Sequence, residues 1–234
     1  DDFCPANGIS IATIKITVIP PVPDLRCTEV LENGDVLLTW KYADGAPPTQ
    51  EPYMVWHSSS LSGPFVLIDS VFHPETTFTY SGVSANDAPQ YFYLSTEEGC
   101  GIAAGDLNSD TLSTIFIDVD PINLGITAGI NWNPIIDPLL ISSSNDYDLF
   151  VKEPNPTFTN ILTTPSLTHT HDAEDCDYYP EFYVAIEDNS GCKSKSNIGT
   201  ANLLEAIRQV APESQYDPVV HVCSSSEVYG RAPT

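Results

Sequence analysis

The segment around Trp40, Tyr91 and Gly99-Cys100 returns in the same order at Trp132, Tyr183 and Gly191-Cys192, and the differences 132−40, 183−91 and 192−100 are all 92. The chain therefore reads as a tandem array. A period near 90 residues is too long for helical solenoid or propeller units and suits a small β-sandwich of roughly 100 residues, large enough to hold a core of its own. Landmarks of this kind are core and turn residues, so they carry no obvious chemistry. Function must then be argued from what strings of such modules do.

Charge narrows the partners. Thirty-two acidic residues against eight basic ones give −24, while 41% hydrophobic and 10% aromatic residues are ample for packed cores. A field of that sign repels phosphate backbones and anionic head groups, which argues against nucleic acid and electrostatic membrane attachment. The longest apolar runs, such as Ile14 to Val22 and Ser113 to Val119, are strand-length and far short of a bilayer span. Neither membrane insertion nor nucleic-acid binding is expected. The chain starts at Asp1 without Met or a signal peptide, as a mature or excised piece would.

Six cysteines stand at 4, 27, 100, 176, 192 and 223 with no CxxC pair. Zinc and thioredoxin-like motifs need closer thiols, so the spacing points to structural disulfides in an oxidising, extracellular compartment. No Asn-x-Ser/Thr sequon is present, and a bacterial surface protein fits better than a glycosylated ectodomain.

Strand signals recur along the whole chain. Ile9 to Ile19 is dense in β-branched residues and ends in Pro20-Pro-Val-Pro23, which reads as the closing strand of a preceding domain plus a stiff linker, residues 1–20. Leu25 to Leu31 and Val36 to Tyr42 flank Asn33-Gly34, a strong hairpin signal, and give strands A and B. Tyr53 to His57 reads as C, Pro64 to Asp69 as C′, Thr76 to Tyr80 as E, Gln90 to Thr96 as F and Thr111 to Val119 as G. Residues 21–119 form the first unit. The second, residues 120–206, repeats the order at Ile126 to Asn133, Tyr147 to Lys152, Phe158 to Thr163, Leu167 to His171, Glu181 to Asp188 and Ser194 to Leu203. Residues 207–234 read as a linker and the start of a third module. Trp40, Tyr91, Trp132 and Tyr183 are the expected core landmarks. No glycine-rich hinge separates the units, which predicts a short, stiff junction and an elongated all-β array.

These residues carry a resemblance. Pro21-Val-Pro-Asp-Leu-Arg-Cys27, Asn33-Gly-Asp-Val-Leu-Leu-Thr-Trp40, Ser62-Gly-Pro-Phe-Val-Leu-Ile-Asp69 and Tyr91-Phe-Tyr-Leu look like a fibronectin type III domain, an immunoglobulin-like β-sandwich. Gly99-Cys-Gly101 with Ser109 to Phe116, Trp132-Asn-Pro-Ile-Ile-Asp-Pro and Glu187 to Asn197 is similar to repeats of large gliding-motility-associated surface proteins of Bacteroidota. Asp1 to Val18 resembles the closing strand of the PKD-type domain that often precedes them. The resemblance implies type IX secretion and display as a long, non-enzymatic adhesin or related surface filament. An adhesin would touch a surface polysaccharide or other surface ligand; a purely structural fibre segment, the alternative, would contact only neighbouring repeats or identical chains through edge strands; an accessory module of a secreted enzyme is a third reading. A type III sandwich also brings early strand A and the F–G turn to one pole, so it implies a Cys27–Cys100 disulfide. Cys176 and Cys192 bracket strand F. Ten extended residues span about 33 Å against the ~7 Å allowed between bridged Cα atoms, so that pair requires the E–F connection to fold back. Cys4 and Cys223 would pair outside the fragment.

Chemistry beyond packing has few candidates. His169-Thr-His171 places two imidazoles on one strand face beside Asp172, Glu174, Asp175 and Asp177, but no third ligand is fixed by spacing, and an exposed polar strand is the plainer reading. Asp106-Leu-Asn-Ser-Asp110 lacks the glycine and terminal Glu of an EF-hand loop, so calcium there would be weak and structural, and no other cofactor is expected. Ser58-Ser-Ser-Leu-Ser-Gly63 is not a nucleophile elbow. The Tyr and Phe residues at 91–93 and 182–183 read as strand-F core and edge rather than a carbohydrate platform. Partner contacts of an adhesin would fall on pole loops such as Asp44 to Glu51 or Pro138 to Asn145.

Overall fold

A computed structural model of the protein describes residues 22–42, 52–96, 108–120, 127–135, 145–153, 156–172 and 179–201. Fifteen strands are found among them, and no helix: β1 (Asp24–Val30), β2 (Val36–Lys41), β3 (Tyr53–Ser58), β4 (Val66–Val71), β5 (Thr77–Tyr80), β6 (Tyr91–Ser95), β7 (Leu112–Ser113), β8 (Ile117–Val119), β9 (Thr127–Trp132), β10 (Tyr147–Lys152), β11 (Thr159–Thr164), β12 (Thr168–Asp172), β13 (Glu181–Glu187), β14 (Lys193–Lys195) and β15 (Gly199–Thr200).

Period-2 alternation decides which face each strand buries. In β2, Val36, Leu38 and Trp40 are buried while Leu37 and Thr39 are only half-buried; in β10 the inward set is Tyr147, Leu149 and Val151. The β1–β2 hairpin turns at Gly34, whose φ of +84° is a left-handed conformation that glycine adopts without a Cβ penalty; its N–H donates to the Leu31 carbonyl. Asp35 then ties the turn to the β5 end, accepting from the Ser81 hydroxyl and the Gly82 N–H, and these bonds hold its carboxyl below the ordinary carboxylate range.

Two separate cores result. One contains Leu25, Val36, Leu38, Trp40, Val55, Phe92 and Leu94, the other Ile117, Ile130, Trp132, Leu149, Phe182 and Val184. Around the first, β1-β2-β5 faces β4-β3-β6-β7; around the second, β8-β9-β12 faces β11-β10-β13-β14, with β15 also on β13. The first core is thus closed by a three-stranded and a four-stranded layer, the second by a three-stranded layer and one of four strands plus the short β15.

The passage from one sandwich to the other is abrupt. The run read from sequence as a single strand G, 111–119, is split: Leu112 and Ser113 pair with β6, whereas Ile117 to Val119 pair with β9 in the opposite sandwich. Ile115 and Ile117 already belong to the second core. Residues 114–116 carry the crossover. A second expected strand, 194–203, is likewise broken into β14 and β15 by residues 196–198, because the Ser196 and Asn197 side chains take up backbone bonds there.

A string of units touching only at their ends does not describe this chain. β14 lies parallel to β1, with Glu29 opposite Lys195, so the A-B-E layer of the first sandwich and the β11-β10-β13-β14 layer of the second, with β15, merge into one eight-stranded sheet. The segments expected as a preceding-domain strand (1–20) and as a third module (207–234) lie outside the described residues.

Candidate functional site: the junction and the outer sheet faces

Small buried polar side chains converge where the two sandwiches meet. The Thr28 N–H donates to Ser194 Oγ (3.1 Å), and the Thr28 hydroxyl donates to the Ser113 carbonyl (3.2 Å). Asn133 clamps the crossover: its Oδ1 accepts from the Phe116 N–H (2.7 Å) and its Nδ2 donates to the Thr114 carbonyl (3.0 Å). Asn197 does the same one step on, accepting from the Ile117 N–H and donating to the Ile117 carbonyl. Ile135 packs against both cores. An unpaired polar group buried here would cost about 1–3 kcal/mol, so mutual satisfaction fixes one relative placement of the units.

An ion pair and a disulfide close the same seam. Asp188, whose side chain has 0% exposure, caps the β13–β14 turn by accepting from the Ser190 and Cys192 N–H groups and the Ser190 hydroxyl. Its other oxygen receives the Arg26 guanidinium of β1 through Nε and Nη2, while Arg26 Nη1 reaches Asp24 at 2.7 Å. Cys192, in that turn, is bonded to Cys27 of β1, with 5.8 Å between the Cα atoms.

This corrects the expected Cys27–Cys100 pairing and decides the open Cys176–Cys192 one. Cys27 is joined to Cys192 and not to Cys100, and Cys192 is accordingly not the partner of Cys176. Strand A of the first sandwich meets the F–G turn of the second, rather than its own, because β14 runs alongside β1. Cys4, Cys100, Cys176 and Cys223 lie outside the described residues. A disulfide of this kind fits an extracellular, oxidising compartment.

Burial on its own would raise the Asp188 carboxyl. The bonds from Ser190, Cys192 and Arg26 outweigh it and hold the group below the ordinary aspartate value. A carboxyl whose folded pKa lies below its unfolded one contributes stability that is fully present above the unfolded value near 3.9 and is lost as pH falls through the folded value. Acid melts will therefore show the wild type losing junction stability below about pH 4. Asp188→Asn, which cannot titrate, will be less stable at pH 7 by about 2 kcal/mol and will lose less on acidification. Parallel acid profiles for the two proteins would contradict this role.

The landmark residues divide. Trp40 and Trp132 are 2% and 5% exposed and sit in the two cores, as expected. Tyr91 and Tyr183 do not. Both are half-buried on the outward side of β6 and β13; the inward residues are Phe92 and Leu94, and Phe182 and Val184. Register also shifts the equivalence. Tyr93 pairs with Trp56 and Tyr183 with Phe150, so the structural counterpart of Tyr183 is Tyr93, and the shared offset of 92 does not hold within strand F.

On the outer faces these pairs build the same three-ring cluster twice. Trp56 stacks on Tyr93 at 5.7 Å with Phe65 edge-on; Phe150 stacks on Tyr183 at 4.5 Å with Phe158 edge-on. The second cluster is capped by Lys152, Lys193 and Lys195, each 5.1–5.8 Å from a ring centroid. Those lysines also meet Glu181, Glu187 and Glu29, the last across the seam. Long stems laid over rings keep an aromatic face wet and closed.

The remaining sequence candidates are structural or only partly described. His169 and His171 do share a face of β12, half-buried; His171 Nε2 lies 2.9 Å from Glu153 Oε2, and burial, with the neighbouring His171, holds His169 below the ordinary histidine value. The acidic residues 174–177 lie outside the described residues. So do Asp106 of the calcium candidate, 44–51, and 138–144 of the pole loops. Ser58 Oγ accepts from the Ser60 N–H, closing a turn. Arg26, Asp188, Thr28, Ser194, Asn133 and Asn197 escaped the sequence reading, and the pairing of an unlike Cys in strand A with a Gly-Cys turn one repeat later was the only available signal.

Each sandwich sets strands A-B-E against C′-C-F-G, which defines a pair of immunoglobulin-like β-sandwiches of the fibronectin type III kind. Among solved structures the chain is similar to the FN1–FN3 domains of chicken CNTN1, at 14% identity over 80% of this chain and 68% of that one, with a TM-score of 0.29. It is also similar to the central fibronectin-III array of RIM-binding protein, at 16% identity over 79% and 71%, again with a TM-score of 0.29. Neither superposition is close enough to bear on arrangement or function. No family model and no curated protein matches the chain.

Proposed function

We propose that the chain is a non-enzymatic, load-bearing segment of a large secreted bacterial surface protein, serving as the stalk of an adhesin in attachment or gliding. The observation that supports this reading most is the covalent route across the pair. The bridge joins Cys27, near the start of the first sandwich, to Cys192, near the end of the second, 165 residues apart. Tension applied through the ends runs along residues 22–27, crosses the bridge and leaves along 192–201. Apart from Leu25 and Ala201, both cores lie inside the bridged loop and are bypassed. A binding module floating on a linker has no use for such a route, whereas a stalk under shear does. We place the unit boundary at 114–116, inside the 111–119 run, and take 1–20 and 207–234 to continue the array.

Single-molecule pulling on the oxidised protein will yield no unfolding step from within the bridged loop. After reduction, the two sandwiches will release a total on the order of 550 Å of chain, at ~3.3–3.6 Å per residue. Release of that length while oxidised would sink the load-bearing role. Antibodies raised against the segment will label intact producing cells; labelling only after permeabilisation would remove the surface assignment.

A further inference from the structure

We propose that the free edge of β4, together with the outward row Leu67–Trp56–Tyr93, docks an extended, positively charged segment of a partner protein, which adds to the first sandwich as a further strand. Four of the six exposed large apolar side chains among the described residues fall between Leu61 and Phe72: Leu61 is 49% exposed, Val66 54%, Leu67 51% and Phe72 57%. β4 is the terminal strand of its layer, and no described strand pairs with its outer edge. Its sequence, Val-Leu-Ile-Asp-Ser-Val, contains neither Lys nor Pro, the residues that ordinarily blunt such an edge.

The second sandwich is an internal control. It carries the same ring cluster at the same register, but there Asn160 occupies the place that Leu67 holds opposite the C-strand aromatic, and β11 is mostly Thr and Asn. Three lysines cap those rings. The first sandwich has Leu67 in place of that polar edge residue, with Leu61 and Val66 exposed close by in sequence. Common packing needs explain the rings in both units, and they do not explain the bare apolar edge in one.

Charge selects the occupant. Between Lys41 and Lys152 there is not one Lys or Arg, against fourteen Asp and Glu residues, with Asp69 on β4 itself and Glu75 just beyond it. A second copy of a chain at −24 is repelled from that surface, while a cationic segment is drawn to it. Strand addition supplies main-chain hydrogen bonds along β4, and alternate apolar side chains of the incoming strand cover Leu67 on the outward face. This inference stands apart from the load-bearing reading, because β4 lies in the layer opposite β1 and takes no part in the bridge.

The probe is a fluorescein-labelled peptide of three Thr-Val repeats flanked by paired lysines, with a twin carrying glutamates in their place, read by anisotropy on the oxidised chain. Saturable binding of the lysine peptide is expected, at least tenfold tighter than its twin. Leu67→Lys should weaken it at least tenfold, and Ile161→Lys, on the β11 edge, should leave it unchanged. No saturable binding, equal binding of the twins or indifference to Leu67→Lys would overturn the proposal. So would a dimer in sedimentation velocity that Leu67→Lys abolishes, because the occupant would then be a second copy.

Discussion

The double variant Cys27→Ser/Cys192→Ser will lose on the order of 5 kcal/mol of stability, and its guanidinium midpoint will fall by roughly 1 M. The size follows from the loop. Closing 165 residues removes more entropy from the denatured chain than closing the 73-residue span from 27 to 100 would, and the chain-entropy model places the longer loop near the top of the observed range. The bridged loop encloses nearly all of both cores, so the loss will appear in the unfolding of both sandwiches. Fluorescence of Trp40 and Trp132, one in each core, reports on the two units. An unchanged midpoint would mean that the bridge is not formed in solution, or that the denatured chain is not constrained by it.

Phe182→Ala will cost about 3–5 kcal/mol, whereas Tyr183→Ala, one residue on, will cost about 1 kcal/mol or less. Phe182 has 0% exposure in the second core and meets the His171 ring edge-on at 5.2 Å, so truncation leaves a cavity that rigid sheets on both sides cannot close. Tyr183 faces outward between Phe150 and Lys195, where water can fill the space it leaves. Unlike removal of the bridge, Phe182→Ala acts on one core. Chemical melts will show the second sandwich weakened and the first near its original midpoint, apart from what the shared sheet transmits. A larger loss from Tyr183→Ala than from Phe182→Ala would reverse the assignment of faces in strand F.

Much of the fold was legible because strands bury one face at a time. The alternation in 36–41 and 147–152, and the Asn33-Gly34 turn, place β2, β10 and the first hairpin within a residue or two of where they lie. Each of those signals is local. The failures are all at the seam, where local signals stop. Ser113 to Val119 reads as one apolar run, yet it changes sandwich at 114–116, where the side-chain amides of Asn133 and Asn197, 17 and 80 residues away, hold the break. The disulfide failed for the same reason. Pairing strand A with its own F–G turn assumes that a unit closes on itself, and nothing in the sequence announces that β14 will lie against β1. In strand F the spacing of 92 selected Tyr91 as the partner of Tyr183, although insertions elsewhere shift the true register to Tyr93. The apolar edge of β4 was visible as Val66-Leu-Ile68 in sequence, but its exposure became apparent only once β4 proved to be terminal in its layer.

The central claim is that two sandwiches are clasped into one unit across the seam, and non-reducing peptide mapping tests it most directly. Trypsin followed by cleavage at Glu separates Cys192 from Cys176, since Glu181 and Glu187 lie between them. The Cys27 peptide will then run covalently joined to the Cys192 peptide and will be released by reduction. Recovery of Cys27 joined to Cys100, with Cys192 joined to Cys176, would return each sandwich to itself and contradict the clasp.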